Sequence, residues 1–254
     1  MSSSRRILAI ETSGRAGSIC VADGTEVLAR AGLATDARHA GDLHAQIDRL
    51  VRGQGWPPDS LDEVHVSAGP GSFTGVRIGV TVARTLAWAT GAKLVRVPTV
   101  DALARNALLA QPPPDYVAVV LDAKRRQVFA ALFALAEPAT CTYRKIVDAL
   151  MVEPGAFLAG ALGAGDERRE VAVLGEGIDY HREAIEQSGV RILPRELWPA
   201  RAEGVLAVGC DMAAAGRYCK PEDCVPIYVR LPEPEEKWRE KQSRQPTGPR
   251  SPQP

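Results

Sequence analysis

The chain holds no Cys-x-x-Cys pair and only four histidines in 254 residues. Its five cysteines, Cys20, Cys141, Cys210, Cys219 and Cys224, are odd in number and irregular in spacing. They suggest neither a zinc site nor a disulfide framework. No stretch of about 20 apolar residues is present, so no segment reads as a membrane-spanning helix. The residues after Met1 lack the apolar core of a signal peptide, and a soluble cytoplasmic chain is the expectation. Charge of one sign is also missing: 31 Lys and Arg balance 31 Asp and Glu. That balance does not announce a nucleic-acid or membrane partner. Lys124-Arg125-Arg126 is a local basic run, read as a solvated turn between strands or as a basic patch.

Several catalytic signatures are absent too. There is no Gly-x-x-x-x-Gly-Lys phosphate loop and no Gly-x-Ser-x-Gly elbow. His39 and His44 lie five apart and do not share a helix face as i, i+4 ligands would. His65 falls mid-strand. Each of these, and His181, reads first as a surface or half-buried histidine. His39 is the best exception.

What the chain does have is Gly69-Pro70-Gly71-Ser72-Phe73-Thr74-Gly75-Val76-Arg77-Ile78-Gly79. This stretch lies between a strand-like run and a long helix-like run. Glycine allows unusual backbone angles and close approach. Ser72 can cap the following helix. A strand–glycine loop–helix junction is also a potential anion site. The two readings are a tight structural turn and a loop for a ligand or partner.

The length fits one large domain or two small ones. Strand-like runs cover 7–10, 18–22, 26–31, 63–67 and 93–97, with a hairpin signal at Asp23-Gly24. Helical phase runs over 36–52, with Asp36 as a plausible N-cap, over 72–90, ended by Gly91, and over 99–109. Gln111-Pro112-Pro113-Pro114 reads as a boundary. The expected division is 1–110 as an N-terminal lobe, 111–230 as a C-terminal lobe and 231–254 as a disordered tail. Strands at 116–121, 127–135 and 171–174 and a helix over 203–218 fill the second lobe; 154–170 shows little periodicity. The helix over 72–90 has only Arg77 and Arg84 as charges and two apolar rows, one of Val76, Val80, Ala83 and Ala87, the other of Ile78, Val82, Leu86 and Ala89. A surface helix normally needs one stripe. This one is either sandwiched inside the chain or part of an interface with the stripe Leu43, Ile47 and Leu50.

Together, the Gly69–Gly79 stretch, Ile7-Leu8-Ala9-Ile10-Glu11-Thr12-Ser13, Arg38-His39-Ala40, the 121–129 segment and Pro226-Ile227-Tyr228-Val229-Arg230 resemble the TsaB (YeaZ) family over about residues 5–230. The resemblance implies an α/β fold, the duplicated actin-like (ribonuclease H-like) ATPase fold of two lobes, with mixed sheets flanked by helices. It implies a non-catalytic subunit of threonylcarbamoyladenosine (t6A) synthesis at adenosine 37 of tRNA, one that binds and activates TsaD. It implies a TsaD heterodimer, TsaE in a larger complex, a possible homodimer through the same helices, and tRNA only via the complex. The partner interface it implies comprises His39, Leu43, Ile47, Leu50, Ile78, Val82 and Leu86. Where TsaD carries a His-x-x-x-His metal pair, this chain has Thr99 and Leu103; leucine cannot ligate a metal. No metal, no cofactor of its own and no catalytic residue are therefore expected, ATP or ADP and metal belonging to partner subunits. Glu11, Thr12 and Ser13 stand where actin-like kinases have Asp-Gly-Thr, and are the possible residual nucleotide site. Asp122 could mimic the second phosphate loop, but Lys124-Arg125-Arg126 replaces its glycines. The alternative is an active ATPase, phosphotransferase or hydrolase of the same superfamily.

Overall fold

The computed structural model describes residues 5–33, 39–136, 142–163 and 170–229. Asp36, Cys141 and the tail 231–254 lie outside the described residues. The first half builds a five-stranded sheet from β1 (Arg6–Glu11), β2 (Ser18–Asp23), β3 (Glu26–Gly32), β4 (Glu63–Ser67) and β5 (Lys93–Val97), in the order β3-β2-β1-β4-β5. β1 to β3 form an antiparallel meander, and β4 and β5 run parallel to β1. Two helices, α1 (His39–Gly53) and α2 (Phe73–Thr90), make the parallel crossovers, and α3 (Thr99–Asn106) follows β5.

The second half repeats the plan. β6 (Tyr116–Asp122), β7 (Val128–Leu135) and β8 (Tyr143–Val152) form the meander, and β9 (Val171–Leu174) and β10 (Arg191–Ile192) continue in parallel, in the order β8-β7-β6-β9-β10. Helices α4 (Pro154–Gly163), α5 (Ile178–Gln187) and α6 (Ala202–Ala214) match α1, α2 and α3 in order. Two copies of one strand order in one chain constitute the duplicated fold expected from the sequence.

Burial explains the strand composition. On β1, Leu8 and Ile10 face one side and pack with Leu43, Ile47, Val76 and Val80; Ile7 and Ala9 face the other and pack with Val205 and Leu206. Helices cover both faces, so the strand reads as continuously apolar rather than alternating. The lobes also exchange helices. α6 lies on the first sheet, and Val100, Leu103 and Ala104 of α3 join the second core with Trp198. After α6 the chain stays on the first lobe: Cys219 pairs with Leu94, and the Ile227 amide donates to Ala68 O at 2.7 Å. The boundary at residue 111 therefore separates sheets, while the packing units interleave. Among the described residues no helix is long and apolar enough to cross a membrane.

Candidate functional site

The glycine stretch is a joint within the first lobe. Gly69 takes φ +100° and is clasped by Thr99, which donates its N–H to Gly69 O at 2.9 Å and accepts the Gly69 N–H on Oγ1 at 3.2 Å. The Ser72 amide donates to Ser13 O at 2.7 Å, and its Oγ caps α2 by accepting from the Gly75 N–H. Gly71, Gly75 and Gly79 lie against the β1–β2 turn. A Cβ on them would come within 2.5 Å of Ser13 O, 2.0 Å of Thr12 O and 2.2 Å of Thr12 Oγ1. The same hydroxyl donates to Gly75 O at 2.8 Å. The glycines thus serve first to let α2 rest on the chain's own first turn.

That joint forms one wall of a cleft of about 1340 Å³ between the lobes. Its other walls are the β6–β7 turn from Leu121 to Arg125, Glu176 and Tyr180 from the start of α5, and residues 226–229. The Gly-rich loop, the Glu11-Thr12-Ser13 turn and the Asp122 turn, far apart in sequence, all meet around it. Their polar groups are largely engaged with each other. Glu11 is fully buried, and its Oε1 accepts from Ser13 N and Oγ at 2.5 and 2.6 Å. Its Oε2 has no partner among the described residues, and burial pushes the carboxyl up, against the Ser13 hydrogen bonds that lower it. Asp122 is taken by Lys124, through N at 3.0 Å and Nζ at 2.6 Å. Burial would raise the Asp122 carboxyl, but these bonds outweigh it and hold it below the usual range. Lys124, Arg125 and Arg126 all adopt positive φ, 63°, 52° and 62°, a strained path for residues with a Cβ.

Tyr180 closes the cleft. Its ring meets a cation from each lobe, Arg15 of the first and Lys124 of the second, each 5.0 Å from the centroid. Arg15 also donates to the Tyr180 hydroxyl and pairs with Asp179 at 3.9 Å, and its amide reaches Glu176 at 3.3 Å. Nothing in the sequence marks Arg15, Glu176 or Tyr180, because a contact between lobes carries no local pattern.

The expected interface residues fall into three groups. Leu43, Ile47, Leu50 and Val82 are buried in the first core, between 0 and 6% exposed, so they are corrected from partner-facing to core-forming. Ile78 and Leu86 are half-buried beside the same core. His39 opens α1, but its side chain lies outside the described residues. What α2 does offer outward is Phe73, Thr74, Arg77, Thr81, Thr85 and Trp88. Trp88 is 81% exposed and borders a shallow hollow with Thr81, Arg84, Pro221 and Glu222. At the other end, the Arg77 guanidinium stacks 3.7 Å over Phe73 and donates to the Tyr228 hydroxyl at 2.9 Å.

Residues 33–189, more than half the chain, match the family described as TsaD, tRNA N6-adenosine threonylcarbamoyltransferase. The chain belongs to this family. It is similar to the tRNA threonylcarbamoyladenosine biosynthesis protein TsaB of Bacillus subtilis (strain 168), 29% identical over 241 residues, 93% of this chain and 99% of the relative. TsaB of Escherichia coli (strain K12) is 25% identical over 89% of this chain and 94% of its own. A Pseudomonas aeruginosa crystal structure, described as an uncharacterized protein with similarity to peptidase YEAZ, superposes with TM-score 0.77 at 24% identity. It covers 89% of this chain and 100% of its own, which shows the same fold.

Within the TsaD family, the two positions where the resemblance wants metal-binding histidines are Thr99 and Leu103. Thr99 is buried and clasps Gly69, and Leu103 is fully buried in the second core. Neither side chain supplies a donor set for a metal. Among the described residues no three His, Cys, Asp or Glu side chains converge on a point. His65 is fully buried and hydrogen-bonded to Glu63 at 2.8 Å, and His181 lies 3.6 Å from Asp122 Oδ1. His44 is exposed on α1.

Proposed function

We propose that the chain is a non-catalytic subunit of t6A synthesis on tRNA. It acts by docking on a TsaD-type partner and keeping that partner competent for threonylcarbamoyl transfer to N6 of adenosine 37 in tRNAs that read ANN codons. One observation carries the reading: the residues at the metal-ligand positions, Thr99 and Leu103, are committed to holding the glycine loop and filling the core. The similarity to TsaB over nearly the whole chain supports the same role.

The docking surface in this reading is the outward face of α2, from Phe73 and Arg77 to Trp88, extended by α1 and Tyr228. Trp, Tyr and Arg dominate the energetics of protein interfaces, and this face offers one or more of each. The same face would serve a homodimer in the absence of the partner. TsaE joins through the larger complex, and tRNA is reached only through it. In this reading the chain takes no cofactor of its own: the Glu11 carboxyl is sealed in the core with one oxygen bonded to Ser13, and Asp122 is paired with Lys124.

The experiment is affinity capture of a TsaD-type partner by the purified chain and by Trp88→Ala and Arg77→Glu. Loss of capture with an unchanged circular dichroism spectrum is expected. Equal capture by all three proteins overturns the surface. ATP turnover by the isolated chain would instead favour the alternative of an active ATPase, phosphotransferase or hydrolase.

A further inference from the structure

Two cysteines meet in the segment after α6. The Cys219 amide donates to Leu94 O at 2.9 Å, and its thiol lies 3.5 Å from the same oxygen. One 3-10 turn, Pro221–Asp223, then folds the chain back, and the Cys224 amide donates to Lys220 O at 3.1 Å. The turn sets Cys219 and Cys224 on either side of it, and both pack into the first core. Cys224 is buried, whereas Cys219 is half-buried, and the Arg96 guanidinium donates to the carbonyl of Val225, the residue after Cys224. Cys20 and Cys210, the other described cysteines, are buried in the separate core against α6.

We propose that Cys219 and Cys224 form a thiol–disulfide exchange site. Its co-substrate is a low-molecular-weight disulfide such as oxidised glutathione. The Cys219 thiolate attacks one sulfur of that disulfide, a mixed disulfide forms, and the first thiolate leaves and takes a proton from water. Cys224 attacks the Cys219 sulfur, the Cys219–glutathione S–S bond breaks, and the departing second sulfur takes the Cys224 proton. Two protein thiols are oxidised to one disulfide, and one small disulfide is reduced to two thiols. A reactive cysteine needs partial exposure and an electropositive setting, and Cys219 has both. Cys224 and Arg96 lower the Cys219 thiol, while Cys219 and burial raise that of Cys224, so Cys219 is the attacking thiol of the pair. Burial pushes Cys20 up to about 12 and raises Cys210, so neither competes.

The location gives the exchange a consequence. Residues 225–229 follow directly and run over the glycine loop: Arg96 donates to Val225 O at 3.3 Å, Ile227 to Ala68 O, and Tyr228 meets Phe73 and Arg77. A disulfide would close a small ring at the root of this strap. The site stands independently of the docking surface proposed above.

The test treats the reduced, folded, full chain with oxidised glutathione at neutral pH, blocks remaining thiols by alkylation and maps the tryptic peptides. Peptide 218–230 should lose two hydrogens and carry no alkyl group at Cys219 or Cys224. Cys224→Ser should stop at a glutathione adduct on Cys219, and Cys219→Ser should leave Cys224 alkylatable. The wild-type result does not depend on either variant folding. An adduct on wild-type Cys219 that never closes, full alkylation of both cysteines, or a cross-link to Cys20, Cys141 or Cys210 would each overturn the proposal.

Discussion

Gly75 rests so closely on Thr12 that a methyl group at Gly75 would lie 2.0 Å from the Thr12 carbonyl oxygen. The Thr12 hydroxyl returns a hydrogen bond to Gly75 O, so helix and turn are locked from both sides. The obstructing atom is backbone and cannot swing away. Gly75→Ala should therefore destabilise the chain by at least the ~1–3 kcal/mol usual for overpacking, read as a drop in chemical denaturation midpoint. Gly79 differs, because its added Cβ would meet the Thr12 hydroxyl at 2.2 Å. In a double-mutant cycle, Thr12→Ala should recover part of the Gly79→Ala loss, with a coupling above ~0.5 kcal/mol. Strict additivity would mean that the joint relaxes in another way.

The apolar row of α1 belongs to the core. Leu43→Glu and Ile47→Glu should each unfold the chain or cost several kcal/mol, since a charge would be buried without a partner. Trp88→Ala should change stability by less than ~0.5 kcal/mol, because that side chain is already in solvent. Melting curves of the three variants decide this. Folded, stable Leu43→Glu protein would return that stripe to the surface.

The sequence made the first lobe legible where each element carries its own signal. Ser72 and Gly91 bracket α2 as cap and left-handed terminus, and Gly91 has φ +76°. β4, β5 and β9 stand as short apolar runs at the expected positions. α6 begins one residue early and ends at Ala214 rather than 218. β8 was not legible because Arg144, Lys145 and Asp148 interrupt its apolar residues on an edge strand. α4 was hidden because its residues are apolar or glycine on every side, which leaves no period of 3.6. At the candidate site, the glycine loop was visible but its purpose was not. Only the fold shows that Thr12 and Ser13, about 60 residues earlier, occupy the space a side chain would need. The exchange of α3 and α6 between lobes is a tertiary fact with no local pattern.

Tyr180 holds the cleft edges together. Each cation over its ring contributes about 0.5–1 kcal/mol at such exposed positions. Tyr180→Leu should cost about 1–2 kcal/mol and speed amide hydrogen exchange at 13–15 and 123–127. Tyr180→Phe keeps the ring and loses only the hydroxyl contact with Arg15, so its effect should be smaller. Unchanged exchange in Tyr180→Leu would show that the lobes are held together by the α3 and α6 crossovers alone.

Glu11 gives the fold a pH dependence of defined sign. Burial raises its carboxyl above the ordinary value of 4.5, so the folded chain holds this proton more tightly than the unfolded chain does. The associated stability is fully present below pH 4.5 and is lost as pH rises through the folded value. Above that point the native state keeps a buried carboxylate whose Oε2 has no partner among the described residues. Glu11→Gln keeps an acceptor for Ser13 and removes the charge. The two proteins should have similar stability below pH 4.5, and the variant should gain on the wild type as pH rises above it, the gap levelling off once the folded value is passed. All other titrating groups are shared, so they cancel in the difference. Denaturant titrations of both proteins at several pH values give that difference directly. A gap that stays constant with pH, or a variant that is less stable at neutral pH, would mean that Glu11 is ionised in the fold and held by Ser13 as a true anion.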